Sequence, residues 1–167
     1  MKLLVIGYAR HGKDTAATML GKLLELDCIS GSQFACKEIV YPQLKSVYGY
    51  ASPDDCFMDR TSHRQEWFDI IANYNSIDPM KLTKDVMKEY DIYVGMRSER
   101  ELLECKRQRI FDLIIWIDAS KRVGPEKSES CTVGPMMADI IIKNDFTETE
   151  LAQNLRELVA DMLHPMK

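Results

Sequence analysis

The sequence predicts a three-layer α/β domain, a mainly parallel sheet of about five strands with helices on both faces. Three observations carry this expectation. Short apolar runs alternate with amphipathic stretches along the 167 residues. The first run is continuous, as in a strand buried on both faces. It passes through a glycine-bounded loop straight into a helical pattern. No fixed-period repeat, low-complexity tract or Gly/Ser/Pro linker divides the chain, so residues 1–167 read as a single domain.

Leu3 to Ile6 is the first strand. Lys13 to Glu25 carries apolar residues at Ala16, Met19, Leu20, Leu23 and Leu24, which is helical spacing. Cys28 to Ser30 reads as a short second strand, followed after Gly31 by a helical stretch from Phe34 to about Val47 that contains Pro42. Pro53 to Tyr74 reads as one helix, with Ser52 as its cap and Pro53 in its first position. Pro79 to Glu89 is another helix, and Asp91 to Gly95 is strand-like. A helix from Ser98 to about Arg109 follows, where Ser98 and Glu101 fit a capping box. Leu113 to Ile117 is the clearest internal strand. Residues 119–135 are polar and irregular, Asp139 to Ile142 is the last strand, and Glu148 to Leu163 the last amphipathic helix.

Composition narrows the function classes. With 46% hydrophobic and 29% charged residues, the chain is globular rather than disordered. A net charge of −4 argues against wrapping duplex DNA by bulk electrostatics, although it leaves room for a local basic cleft. No apolar run approaches the roughly 18–20 residues of a membrane span, so no membrane partner is expected. The apolar run at Met1 to Ile6 stops at Gly7 and is followed by Arg10, His11 and Lys13, which fits a strand and not a signal peptide. Cys28, Cys36, Cys56, Cys105 and Cys131 are odd in number, scattered and without a C-x-x-C pair. Reduced thiols in a cytoplasm are the expectation. The methionines fit core filling, and His11, His63 and His164 have no transition-metal spacing.

The strongest local signal is Gly7-Tyr8-Ala9-Arg10-His11-Gly12-Lys13-Asp14-Thr15, which matches G-x-x-x-x-G-K between a buried strand and a helix. Two glycines let the backbone curl so that successive N–H groups face a phosphate. The helix N-terminus adds partial positive charge, and Lys13 can neutralise terminal phosphates. Gly7, Arg10, His11, Gly12, Lys13, Asp14 and Thr15 are the nucleotide-binding candidates. Asp14 stands where most such loops carry a magnesium-binding hydroxyl. It could hold the metal directly or through water, or serve as a base, while Thr15 could bond a nearer phosphate or join the metal.

The GKDT ending resembles the phosphate-binding loop (P-loop) of phage deoxynucleoside monophosphate kinases and their relatives in the nucleoside monophosphate kinase superfamily. Ser32-Gln33-Phe34-Ala35, Tyr93-Val94-Gly95-Met96-Arg97, Ile115-Trp116-Ile117-Asp118 and Ile142-Lys143-Asn144-Asp145 look like further segments of that group. The resemblance implies a P-loop kinase fold, ATP with Mg2+ as cofactors, and transfer of the γ-phosphoryl group to a deoxynucleotide. The preferred acceptor is a deoxynucleoside monophosphate. Small phage kinases that phosphorylate 5-hydroxymethyluracil in DNA share the scaffold and supply the alternative. A third reading is a nucleotide-dependent regulator without acceptor turnover.

Candidate acceptor residues lie within the helical segment at about 52–90. In Asp59-Arg60-Thr61-Ser62-His63-Arg64-Gln65-Glu66-Trp67, Arg60 with Arg64, Asp59 with His63 and His63 with Trp67 are each four apart. One helical face would then offer two guanidinium groups for an anion, an imidazole and an aromatic plate. The competing reading is a solvated charged face with Trp67 filling the core. Asp59 could act as base, which matters only for an alcohol acceptor. Arg97, at the carboxyl end of its strand, would by resemblance contact the acceptor or the transferring phosphoryl group; the plain reading is a surface arginine capping a helix. Asp118 is either a further magnesium ligand or a turn residue. Residues 119–135 hold Lys121, Arg122 and Lys127 where related kinases carry a lid, with Arg122 the choice for charge stabilisation and a solvated loop the competing view. Asn144 resembles the adenine-side turn.

Overall fold

The computed structural model describes residues 1–126 and 131–163. Among the described residues, five strands form one sheet: β1 (Leu3–Ile6), β2 (Cys28–Ser30), β3 (Ile92–Val94), β4 (Leu113–Asp118) and β5 (Ile140–Lys143). Their order is β2-β3-β1-β4-β5, and every pairing is parallel. The helices are α1 (Lys13–Leu24), α2 (Gly31–Ala35), α3 (Tyr41–Tyr48), α4 (Pro53–Met58), α5 (Arg64–Tyr74), α6 (Lys81–Glu89), α7 (Glu99–Arg107) and α8 (Glu148–Leu163).

Central position explains the composition of β1, whose four residues are fully buried between β3 and β4. Alternate side chains leave opposite faces of a strand. Leu4, Ile6, Tyr93, Ile114 and Trp116 therefore pack on one side with Phe34 of α2, Val86 of α6 and Leu102 of α7. Leu3, Val5, Val94, Ile115 and Ile117 pack on the other with Ala16 and Leu20 of α1 and Leu151, Leu155 and Leu158 of α8. These are the three layers. A separate cluster of Cys36, Val40, Leu44, Cys56 and Trp67 joins α3, α4 and α5 beside the sheet. No helix among the described residues is long and apolar enough to cross a membrane. All five cysteines are free thiols, with Cys28 partly exposed and the others buried.

The structure corrects three local expectations. The stretch expected as one helix from Pro53 to Tyr74 is broken: α4 ends at Met58, a single 3-10 turn spans Asp59–Thr61, and α5 begins at Arg64. Ser52 does cap α4, accepting from the Asp55 N–H while the Asp55 carboxylate accepts from the Ser52 N–H. The break comes at His63, whose backbone is non-helical at φ −124°, ψ 33°. Its ring lies 3.1 Å from the Asp59 carboxylate and 3.4 Å from that of Glu66, and packs 4.0 Å from the Tyr48 ring at the end of α3. The packing on Tyr48 is tertiary, and it overrides a local preference for continuing the helix.

The helical stretch after β2 starts earlier than expected, at Gly31, because Ser30 and Gln33 form a capping box. It also carries a π-helical turn, Cys36–Val40, directly ahead of Pro42. Proline lacks an N–H and its ring crowds the carbonyl four residues back, so a widened turn relieves both problems.

Third, Ser98 caps α7 by accepting from the Glu101 N–H at 3.3 Å, but the Glu101 carboxylate turns elsewhere. It accepts a 2.6 Å hydrogen bond from the hydroxyl of Thr83, a fully buried residue of α6. Burial pushes the Glu101 carboxyl above its ordinary range, and the Thr83 bond offsets this only in part. A raised carboxyl costs stability as pH climbs from the unfolded value, near ~4.3, through the folded one. Glu101→Gln keeps an acceptor for Thr83 without that cost. It is expected to raise the thermal midpoint by a few degrees at pH 7, with the gain vanishing in melts below about pH 4.

Candidate active site

The loop between β1 and α1 is shaped by two close approaches. Gly7 adopts φ 151°, and a Cβ there would lie 2.5 Å from the Ile117 carbonyl oxygen of β4. Gly12 adopts φ 88°, and a Cβ there would overlap the Asn144 side-chain amide. Arg10 also takes the left-handed conformation, at φ 64°. Because Gly12 is the N-cap, α1 has no side-chain cap. Its first N–H groups lack intrahelical acceptors and present partial positive charge to an anion.

Neighbouring strand ends brace this loop. His11 is fully buried; its Nδ1 accepts from the Ala119 N–H at 3.0 Å, which assigns the proton to Nε2, and Nε2 donates to the Val123 carbonyl at 3.1 Å. The Asn144 side-chain amide donates to the His11 carbonyl at 2.9 Å, and the Asn144 N–H to the Asp118 carbonyl at 2.7 Å. Arg122 donates through Nε and Nη2 to the Asn144 carbonyl at 2.8 and 2.6 Å. The side chains of His11 and Asn144 thus hold the loop to β4 and β5, and within the loop the His11 N–H donates to the Tyr8 carbonyl at 3.2 Å.

Lys13 donates to the Tyr8 carbonyl at 2.8 Å. Burial and then the nearby Arg97 push its ammonium below the ordinary lysine value, opposed by Asp14 and Glu126. Asp14 and Thr15 are exposed on the first turn of α1. One carboxylate and one hydroxyl there fit Mg2+, which keeps most of its shell for water and phosphate oxygens. Asp118 is engaged differently. Burial alone would raise its carboxyl, but the ion pair with Lys143 and the hydrogen bond from the Ser120 N–H overcome that and hold it at about 2.

Beside the loop lies a cleft of about 530 Å³ lined by Ala9, Arg60, Thr61, Arg64, Trp67, Arg97 and Glu126. Arg60 donates to the Phe57 carbonyl at 2.9 Å and lies over the Phe57 ring at 4.1 Å, while Arg64 is exposed at the start of α5. Trp67 is 6% exposed and belongs to the third cluster, yet still forms part of the wall. Its indole nitrogen is buried with no hydrogen-bond partner among the described residues.

The break between α4 and α5 divides the expected quartet. Arg60 and Arg64 line the cleft; Asp59 and His63 do not. Asp59 instead accepts from the Tyr50 hydroxyl at 2.8 Å and from His63 at 3.1 Å. Hydrogen bonds from Ser62 and Tyr50 hold its carboxyl below the ordinary range.

Sequence reasoning missed Glu126. Its carboxylate accepts from the Ala9 N–H of the loop at 2.9 Å and is ion-paired with Arg97. It sits in a stretch singled out only for its basic residues, and no spacing pattern marks it. Lys127, from the same stretch, and His164 lie outside the described residues.

No protein-family model and no curated protein sequence matches the chain. Solved structures do match along its whole length. Shikimate kinase from Aquifex aeolicus vf5 superposes with a TM-score of 0.54 at 15% identity, over 98% of this chain and 97% of that one. Shikimate kinase from Bacteroides thetaiotaomicron gives 0.53 at 9% identity, over 98% of each chain. TT1252 from Thermus thermophilus gives 0.50 at 14%, over 100% of this chain and 98% of that one. The fold is that of the small P-loop kinases. At these identities the likeness extends to the fold.

Two outcomes test the bracing. Gly12→Ala is expected to lower stability by about 1–2 kcal/mol in thermal melts. Adding Asn144→Ala is not expected to restore it, because room for the methyl leaves the backbone strain in place. Asp118→Asn removes a carboxyl whose depressed value stabilises the fold above the ordinary aspartate range, near ~3.9, and is lost as pH falls towards about 2. Its melts should lie below wild type at pH 6 and converge with it in strong acid.

Proposed function

We propose that this protein is an ATP-dependent kinase that transfers the γ-phosphoryl group to a small anionic acceptor, a deoxynucleoside monophosphate. The observation that carries the reading is the position of Ala9, a residue of the phosphate-binding loop that also lines the cleft with Arg60, Arg64 and Arg97. Donor and acceptor sites would share a wall there, as in-line transfer requires.

In this reading the loop amides and Lys13 hold the donor phosphates, and Asp14 with Thr15 holds Mg2+. Bound Mg2+ would neutralise charge shared between the β- and γ-phosphate oxygens. Arg60 and Arg64 take the acceptor phosphate, for which guanidinium geometry is suited. Arg97 balances charge between the two, and Arg122 serves the nucleotide side from its place at the Asn144 carbonyl. A phosphate acceptor is already an anion and needs positioning more than deprotonation. That suits a cleft from which Asp59 is absent.

One observation favours a second reading, 5-hydroxymethyluracil in DNA. Its hydroxyl would need a base, and Glu126 places a carboxylate in the cleft. The net charge of −4 supports the free nucleotide.

Transfer from γ-labelled ATP with magnesium should label one or more deoxynucleoside monophosphates. Lys13→Ala should reduce the rate about 100-fold or more, and Arg64→Ala should raise the acceptor KM more than it lowers kcat. Label retained only on DNA containing 5-hydroxymethyluracil would replace the first reading by the second. No transfer to either acceptor would remove both.

A further inference from the structure

The Glu126 carboxylate bridges two groups that belong to different parts of the site. One oxygen accepts from the Ala9 N–H at 2.9 Å, and the other faces the Arg97 guanidinium just beyond β3. The Glu126 side chain is only 16% exposed, against 49% for Arg97. It also lies close enough to Lys13 to oppose the lowering of its ammonium by Arg97. A main-chain N–H, a guanidinium and a nearby ammonium around one small anion form a set of donors suited to a phosphoryl group. The group they hold here is a side chain of the same protein.

We propose that the Ala9 N–H and Arg97 form an anion subsite in which Glu126 stands in for a phosphoryl oxygen pair, so that an anionic ligand must displace Glu126 to bind. This deepens the kinase reading and rests on it for the identity of that ligand, but the subsite itself is defined by the three residues. Two anions cannot sit side by side on one guanidinium and one N–H without strong repulsion, so a bound anion and the largely buried carboxylate exclude each other. Displacement therefore discriminates. A ligand carrying two negative charges compensates Arg97 and Lys13 better than the carboxylate does, whereas a neutral hydroxyl leaves Glu126 in place.

Calorimetric titration with inorganic phosphate tests this without requiring turnover. Glu126→Gln keeps the side-chain shape and removes the competing charge. It is expected to bind phosphate at least about tenfold more tightly than wild type, and the gain should disappear in Arg97→Ala/Glu126→Gln. Glu126→Ser, with folding of each variant checked by its melt, guards against an effect peculiar to glutamine. Unchanged or weaker phosphate binding in both folded single variants would overturn the proposal. So would a collapse of kcat in Glu126→Gln at unchanged acceptor KM, which would make Glu126 a base for an alcohol. A gain in phosphate affinity with no transfer to any acceptor would leave the subsite standing and remove the kinase reading.

Discussion

Asn144 reaches from the end of β5 to donate to the carbonyl of His11, while the adjacent Gly12 leaves no space for a side chain between them. On the other side of the loop, Gly7 lies against the Ile117 carbonyl of β4. Much of the site follows from this wedging. It fixes where α1 begins, and so where the unanswered N–H groups and Lys13 point. The same strand ends anchor His11 through Ala119 and Val123, and Arg122 through Asn144. A hydrogen bond from Nδ2 and two absent side chains thereby set the shape of a cradle that is closed from within by the Tyr8 carbonyl, which accepts from the His11 N–H and from Lys13.

The acceptor side is built on different packing. Arg60 and Arg64 belong to helices held by the small cluster around Cys56 and Trp67, whereas Lys13 and Arg97 extend from elements seated on the sheet. Arg60, Arg64 and Arg97 meet across the cleft with Glu126 between them, while burial first and Arg97 second lower the Lys13 ammonium, which Asp14 and Glu126 oppose. The cluster includes an indole nitrogen without a partner among the described residues, which lowers its own stability relative to a fully satisfied core. Segments with smaller, less satisfied cores open at lower free energy than the elements they adjoin.

The sheet was legible because its strands are continuous apolar runs, and burial of β1 on both faces demands such runs. The loop was legible because its chemistry requires glycines at fixed spacing, and the spacing survives in the chain. The break at His63 was not. Arg60, His63 and Arg64 carry helical periodicity, and what interrupts it is a ring packed on Tyr48, fifteen residues earlier, which no local window contains. Glu101 fits a capping box by spacing, yet the buried hydroxyl of Thr83 takes its carboxylate. Glu126 is invisible for the same reason. Its role comes from Ala9 and Arg97, which only the fold brings to it.

The π-helical turn at Cys36–Val40 has a consequence for how this chain can vary in length. Such a turn holds one residue more than an α-helical turn over the same rise, so it behaves as a one-residue insertion absorbed within a helix. Removing a residue there would regularise the helix, but each residue turns the axis by roughly 100°. Leu44, now buried against Cys56 and Trp67, would swing away from that cluster and the charged residues near it would swing in. The bulge is therefore locked by what lies beyond it. Homologues should tolerate changes of length in the exposed loop near Gly49 far more readily than a single deletion between Cys36 and Val40.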